Sequence, residues 1–174
     1  LAGLGSVYSQ APEWDGECVW VQQTRVYAGR EIDSQRVRAQ GDILRQAVAE
    51  LVLRGSMLKP AGSRVKDDIP AWNLYLDLGY GGGSPAEPSA WLVSRLEEIG
   101  VETEQDLAVL EPEDLAFEGI PEWERDGFER RYPRTISLQD LHMQVEYHPL
   151  KKRIDLIRTG GVRKTPPQRW ELPS

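Results

Sequence analysis

The chain is 174 residues long, with 40% hydrophobic residues, a formal net charge of −7 and a single cysteine, Cys18. A chain of this length buries roughly 70% of its unfolded surface on folding, so a core forms without disulfide staples. One cysteine excludes a disulfide framework and a cysteine-rich zinc site and fits a reducing, cytoplasmic compartment; the negative balance argues against a whole-surface nucleic-acid binder, and no apolar run approaches the ~18 residues of a membrane span.

The opening Leu1-Ala2-Gly3-Leu4-Gly5 has neither a methionine nor a cationic flank. It reads as a cut inside a longer gene product rather than as a signal peptide, and the abrupt Glu171-Leu172-Pro173-Ser174 reads the same way. Charge is unevenly spread. Residues 20–66 hold nine Lys/Arg against four Asp/Glu, residues 86–126 two against thirteen, and residues 148–174 seven against two. Two basic flanks therefore surround an acidic middle. Either the acidic helices simply solvate themselves, or the flanks meet and follow a phosphate backbone or another acidic surface while the middle faces away.

In chain order, residues 17–27 are rich in β-branched and aromatic types and predict a strand. A turn at Ala28-Gly29-Arg30 then leads into a shorter extended piece over 31–36. Ile43, Leu44, Ala47, Val48 and Leu51 recur at helical spacing, predicting a helix over 42–54 with Asp42 capping its start, Gly55 ending it, and Arg45, Gln46, Glu50 and Arg54 on a solvated face. Residues 56–70 read mostly as loop, and 71–78 fit a short helix or a strand. The glycine- and proline-rich stretch 79–88 breaks the chain. It lacks the Gly-Lys-Ser/Thr ending of a phosphate loop and reads as a linker.

Four short helices follow over 89–133. The first is capped by Ser89, carries Trp91, Leu92, Leu96 and Ile99, and stops at Gly100. The second starts at the capping-box pattern Thr103-Glu104-Gln105-Asp106. Pro112 and Pro121 open the third and fourth. Their apolar residues are too few to fold alone, so they are expected to pack against the β portion. Leu141, Met143, Val145 and Tyr147 then alternate with polar residues as a strand, His148-Pro149-Leu150-Lys151 turns, and 152–158 returns. The basic remainder, 162–174, reads as an extended tail or edge segment. The expected fold class is α+β: a small sheet or partial barrel with one packed helix, plus a helical bundle of four short helices. The expected segments are 1–78 (β/α), 79–88 (linker), 89–133 (acidic bundle) and 134–174 (hairpin and tail, placed to rejoin the first sheet).

No Walker loop, Gly-x-Ser-x-Gly elbow, His-Glu-x-x-His or paired-cysteine motif is present, so no catalytic residue, metal site or cofactor is assigned. His142 and His148 are ~20 Å apart by strand rise, too far to share an ion on a straight strand. Carboxylates such as Glu97 and Glu98 read as a water-facing helix surface. Aromatic residues beside cations carry more information. Trp20, Arg25, Tyr27 and Arg30, the turn residues Lys151, Lys152 and Arg153, and Arg169-Trp170 in the tail form the stacking-and-charge pattern used for single-stranded nucleic acid. The alternative is that the tryptophans anchor cores or interfaces.

Two stretches together resemble the region beyond the ATPase core of bacterial DEAH-box RNA helicases of the HrpA/HrpB type. The first is Gln23-Thr24-Arg25-Val26-Tyr27-Ala28-Gly29-Arg30-Glu31-Ile32 followed by Ala47-Val48-Ala49-Glu50-Leu51-Val52-Leu53-Arg54-Gly55. The second is Thr103-Glu104-Gln105-Asp106-Leu107-Ala108-Val109-Leu110, then Ile120-Pro121-Glu122-Trp123, Tyr132-Pro133 and a basic hairpin. The resemblance implies a non-catalytic accessory domain that grips RNA or recruits a partner, with the ATP-binding helicase motifs in RecA-like domains of a parent protein. A rival resemblance covers 89–120. Ile99-Gly100, Glu113-Asp114-Leu115 and Gly119-Ile120 have the rhythm of SAM-like and helix-hairpin-helix modules. Without a second glycine in Gly100-Val101-Glu102, it implies protein–protein contact, with Glu111, Glu113 and Asp114 facing a basic partner.

Overall fold

The computed structural model describes residues 11–173 and the backbone of residues 4–8. The rest of the opening segment and Ser174 of the tail lie outside the described residues. The chain divides into two compact units, residues 1–72 with 85–119 and residues 73–84 with 120–174.

In the first unit the central strand is β3 (Val19–Tyr27), and its partners are antiparallel. β1 (Leu4–Tyr8) and β2 (Glu13–Trp14) lie one after the other along one edge of β3, and β4 (Arg30–Arg38) lies along the other. The β3–β4 turn is the two-residue Ala28-Gly29, with φ of 48° and 76°. These positive angles match the twist of the flanking strands, so the hairpin forms locally. Period-two alternation buries Val19 and Val21 on the inner face and leaves Trp20, Gln22 and Thr24 on the outer one.

Helix α1 (Gly41–Arg54) lays Leu44, Val48 and Leu51 in the core, each fully buried. Each such side chain contributes about 1.5–3 kcal/mol. The helix ends where the N–H groups of Gly55 and Ser56 turn back to Val52 and Leu51. Two details depart from the sequence expectation. Asp42 is not the cap; its carboxylate receives the Arg45 guanidinium. Arg45 is not on a solvated face but 6% exposed, donating also to Val101 O at 2.9 Å and Glu102 Oε1 at 2.8 Å. A buried cation persists because these partners replace its water.

Residues 56–70 are not mostly loop. Helix α2 runs from Ala61 to Asp77, with Pro70 inside it. Ala61, Val65 and Ile69 are buried at steps of four, which is a helical stripe,. Pro60, Gly62 and Pro70 masked that stripe. Pro70 is exposed, so its missing N–H is lost on the wet side,. Gly62 has a packing reason: a Cβ there would lie 1.9 Å from Val52 O, so only glycine lets α2 start against the backbone of α1.

Helix α3 (Pro88–Ile99) packs on α1 through Leu92 and Leu96. Its cap is Glu87 rather than Ser89: the Glu87 carboxylate accepts from Ser89 N and Ala90 N at 3.1 and 2.7 Å. Ile99, expected on the apolar side, is 39% exposed. Helix α4 (Glu104–Leu107) begins at the capping box, where Asp106 accepts from the N–H groups of Glu102 and Thr103 at 2.9 and 2.8 Å. These bonds hold its carboxyl below the ordinary range. The next turn, Pro112–Leu115, repeats the device, with Asp114 accepting from Glu111 N at 2.8 Å. Leu107, Leu110 and Leu115 join the same core.

The second unit takes the end of α2, helix α5 (Glu122–Arg131) and a separate antiparallel sheet. Its strands are β5 (Thr135–Ser137), β6 (His142–His148) and β7 (Arg153–Gly160), in the order β5-β6-β7. The C-terminal hairpin therefore does not rejoin the first sheet: β6, its central strand, has both edges taken by β5 and β7. Ile136, Leu141, Met143 and Val145 form a small core with Leu172 packed against it. A second cluster places Phe128 within 5.1–5.6 Å, ring to ring, of Tyr75, Tyr80 and Tyr132. The tail folds back rather than running out, because Arg163 pairs with both oxygens of Glu171 at 2.7 and 3.0 Å. The fold is α+β with no closed barrel.

Candidate nucleic-acid interface

The outer face of the first sheet is built by register. Trp20 faces Arg38, Gln22 faces Arg36, and Thr24 faces Ser34 across the β3–β4 ladder. The guanidinium carbons of Arg36 and Arg38 lie 4.5 and 5.4 Å from the Trp20 ring centroid. A stacked guanidinium keeps its in-plane N–H donors free for an anion. Gln22 Nε2 donates to Ser34 Oγ at 2.6 Å, and the Thr24 and Ser34 hydroxyls lie 3.1 Å apart, continuing the polar surface.

The indole is fixed from its edge. Trp20 Nε1 donates to Asp15 Oδ2 at 2.7 Å, and Asp15 Oδ1 accepts from Cys18 N at 2.8 Å and Glu17 N at 2.9 Å. These donors, the Cys18 amide first, lower the Asp15 pKa to about 2. Two carboxylates hold the arginines: the exposed Glu13 meets Arg36 at 2.8 Å and the half-buried Glu104 meets Arg38 at 2.9 Å. An exposed pair such as Arg36–Glu13 contributes at most about 1 kcal/mol, so a phosphate can displace it.

Strand parity separates residues that sequence proximity grouped. Trp20 is on the outer face, whereas Arg25 and Tyr27 are on the other face of β3, beyond its buried end. Arg30 stands opposite Tyr27 at the hairpin turn. Lys151, Lys152, Arg153, Arg169 and Trp170 all belong to the second unit and are exposed, Trp170 at 82%. The two basic flanks thus sit on different units. The acidic middle does not face away from the first flank: Glu104, Glu102 and Glu113 pair with Arg38, Arg45 and Arg64. Of the acidic candidates, Glu111 and Glu113 are exposed, while Asp114 serves its helical turn. Arg36 and Arg38 were missed. Their alternation with Ser34 in an extended segment was visible, but nothing in the sequence gives the register that sets them over Trp20.

The second unit carries a groove of about 640 Å³ whose lining includes Val145, Tyr147, Leu156, Arg131 and Lys152. Tyr147 donates to Pro133 O at 2.7 Å, and burial pushes its pKa up. Cys18 is buried, and the neighbouring Glu104 carboxylate together with that burial raises its pKa, which disfavours the nucleophilic thiolate,. Among the described residues, no group of three His, Cys, Asp or Glu is placed to hold a metal, and no helix is long and apolar enough to cross a membrane. The chain matches no protein-family model, no curated protein and no solved structure.

Proposed function

We propose that this chain is a non-catalytic accessory domain of a DExH-type ATP-dependent RNA helicase, and that the outer face of its first sheet contacts single-stranded RNA. The observation that carries the reading is the stack of Trp20 with Arg36 and Arg38 on an open polar sheet face. An aromatic plane with guanidinium groups suits bases and phosphates without regard to sequence. The resemblance to the region beyond the helicase core supplies the context. In this reading the parent's RecA-like domains bind ATP, and this chain grips or positions the strand.

The first unit holds ten Lys/Arg against nineteen Asp/Glu, a net of −9. Long-range steering therefore opposes RNA, and the contact is short-range, through few phosphates. Two phosphate contacts give a log–log salt slope of roughly −1.4. The test is an anisotropy titration of fluorescein-labelled oligouridylate at two salt concentrations. Saturable binding that weakens with that shallow slope is expected. No binding, or binding indifferent to salt, overturns the reading.

A further inference from the structure

The inner face of the second sheet is only half covered. Met143 and Val145 on β6 are buried, yet Ile154 and Leu156, opposite Tyr147 and Val145 on the same face, are 59% and 38% exposed. The groove of about 640 Å³ lies over this uncovered half. β7 pairs with β6 on one side, and among the described residues its other edge carries no ladder. An apolar half-face beside a free strand edge is the feature that folded proteins ordinarily hide.

We infer that this groove is a docking site for an extended peptide strand with alternating apolar and acidic residues, which adds to the free edge of β7. The apolar side chains cover Ile154 and Leu156, and the carboxylates meet Arg131 and Lys152 at the groove's rim. The charge of the lining selects the sign. The groove's lining carries Arg131, Lys152 and Arg153 and no carboxylate. The aliphatic floor and the unpaired backbone select a polypeptide over a nucleic acid, because strand addition draws affinity from main-chain hydrogen bonds and specificity from alternate side chains. The site is independent of the RNA-contacting face.

The probe is a fluorescein-labelled, end-blocked peptide of alternating valine and glutamate, titrated by anisotropy against the full chain. Saturable binding is expected, weakened about tenfold by Leu156→Asp and by Lys152→Glu. Lys152 is exposed, so that variant reports on docking even where Leu156→Asp disturbs the sheet. Peptides N-methylated at alternate residues in the two possible phases separate strand addition from simple apolar contact: one phase abolishes binding and the other leaves it. Arg36→Ala leaves peptide affinity unchanged. The proposal is overturned by no binding, by equal binding of a peptide with the same residues in two blocks, or by equal effects of the two methylation phases. It is also overturned by displacement of the peptide by oligouridylate, or by dimerisation of the chain through this face that Leu156→Asp removes.

Discussion

The guanidinium carbon of Arg36 lies 4.5 Å from the centroid of the Trp20 ring, with a complete hairpin between them in the chain. Arg38, two residues further along β4, reaches the same ring at 5.4 Å. One aromatic plane therefore positions two cations.

If this pair grips RNA, Arg36→Ala and Arg38→Ala each reduce the salt slope by about one phosphate contact and weaken oligouridylate severalfold, alike for other sequences. Alanine at Lys151, Lys152 and Arg153 together has a smaller effect, since these lie on the other unit. Anisotropy titrations of the two variant sets side by side decide it. A larger loss from the lysine cluster moves the RNA contact to the second unit.

Lysine at Glu111 and Glu113 removes the Glu111 half of the capping box but keeps the Asp114 half, so the thermal midpoint falls slightly while the circular dichroism spectrum stays unchanged and RNA binding does not weaken,. If the acidic turn is instead a partner-binding surface, the same double variant abolishes capture of a basic partner. Pull-down and RNA titration on one preparation separate the two outcomes.

Asp15 links stability to acid. Its folded pKa of about 2 is below its ordinary 3.8, so its contribution is fully present above 3.8 and is lost as pH falls toward 2,. Asp15→Asn should therefore lower the urea midpoint at neutral pH, and the gap from the parent chain should close between those two values. A gap that stays constant through that window contradicts the assignment.

Gly62→Ala places a methyl group 1.9 Å from Val52 O, which forces α1 and α2 apart. A cost of about 1–3 kcal/mol is expected from overpacking against backbone, read from urea denaturation. By the local propensity rule the same change inside a helix would stabilise, so the sign of the effect tests the close approach.

Phe128 is 6% exposed and touches three tyrosine rings. Phe128→Ala should cost about 3–5 kcal/mol. If the second unit unfolds by itself, amide exchange rises in β5, β6 and β7 while β3 and α1 stay protected.

Local chemistry made much of the fold legible. The β3–β4 hairpin, α1 with its stop at Gly55, the Asp106 cap and the β6–β7 pair were all readable, because each is governed by residues a few positions apart. α2 was hidden because Pro60, Gly62 and Pro70 are strong turn signals whose meaning reversed on packing. Gly62 is a contact requirement, and Pro70 sits on the exposed side of the helix. The site was less legible. Composition marked aromatic and basic residues as a group, but it joined Trp20 to Arg25 and Tyr27, which alternation puts on opposite faces of one strand.

By itself the sequence determined the β3–β4 and β6–β7 hairpins, helix α1 and its stop at Gly55, the Asp106 capping box, and the presence of two basic flanks around an acidic middle. Only the tertiary structure decided which charges meet. Glu104 reaches Arg38 and Glu102 reaches Arg45 because α1 and the loop after α3 share a core. Arg36 reaches Trp20 because strand register brings distant residues side by side, and the C-terminal hairpin found a third strand of its own. Register and packing are set by burial summed over a whole face, a quantity that no local stretch of chain contains.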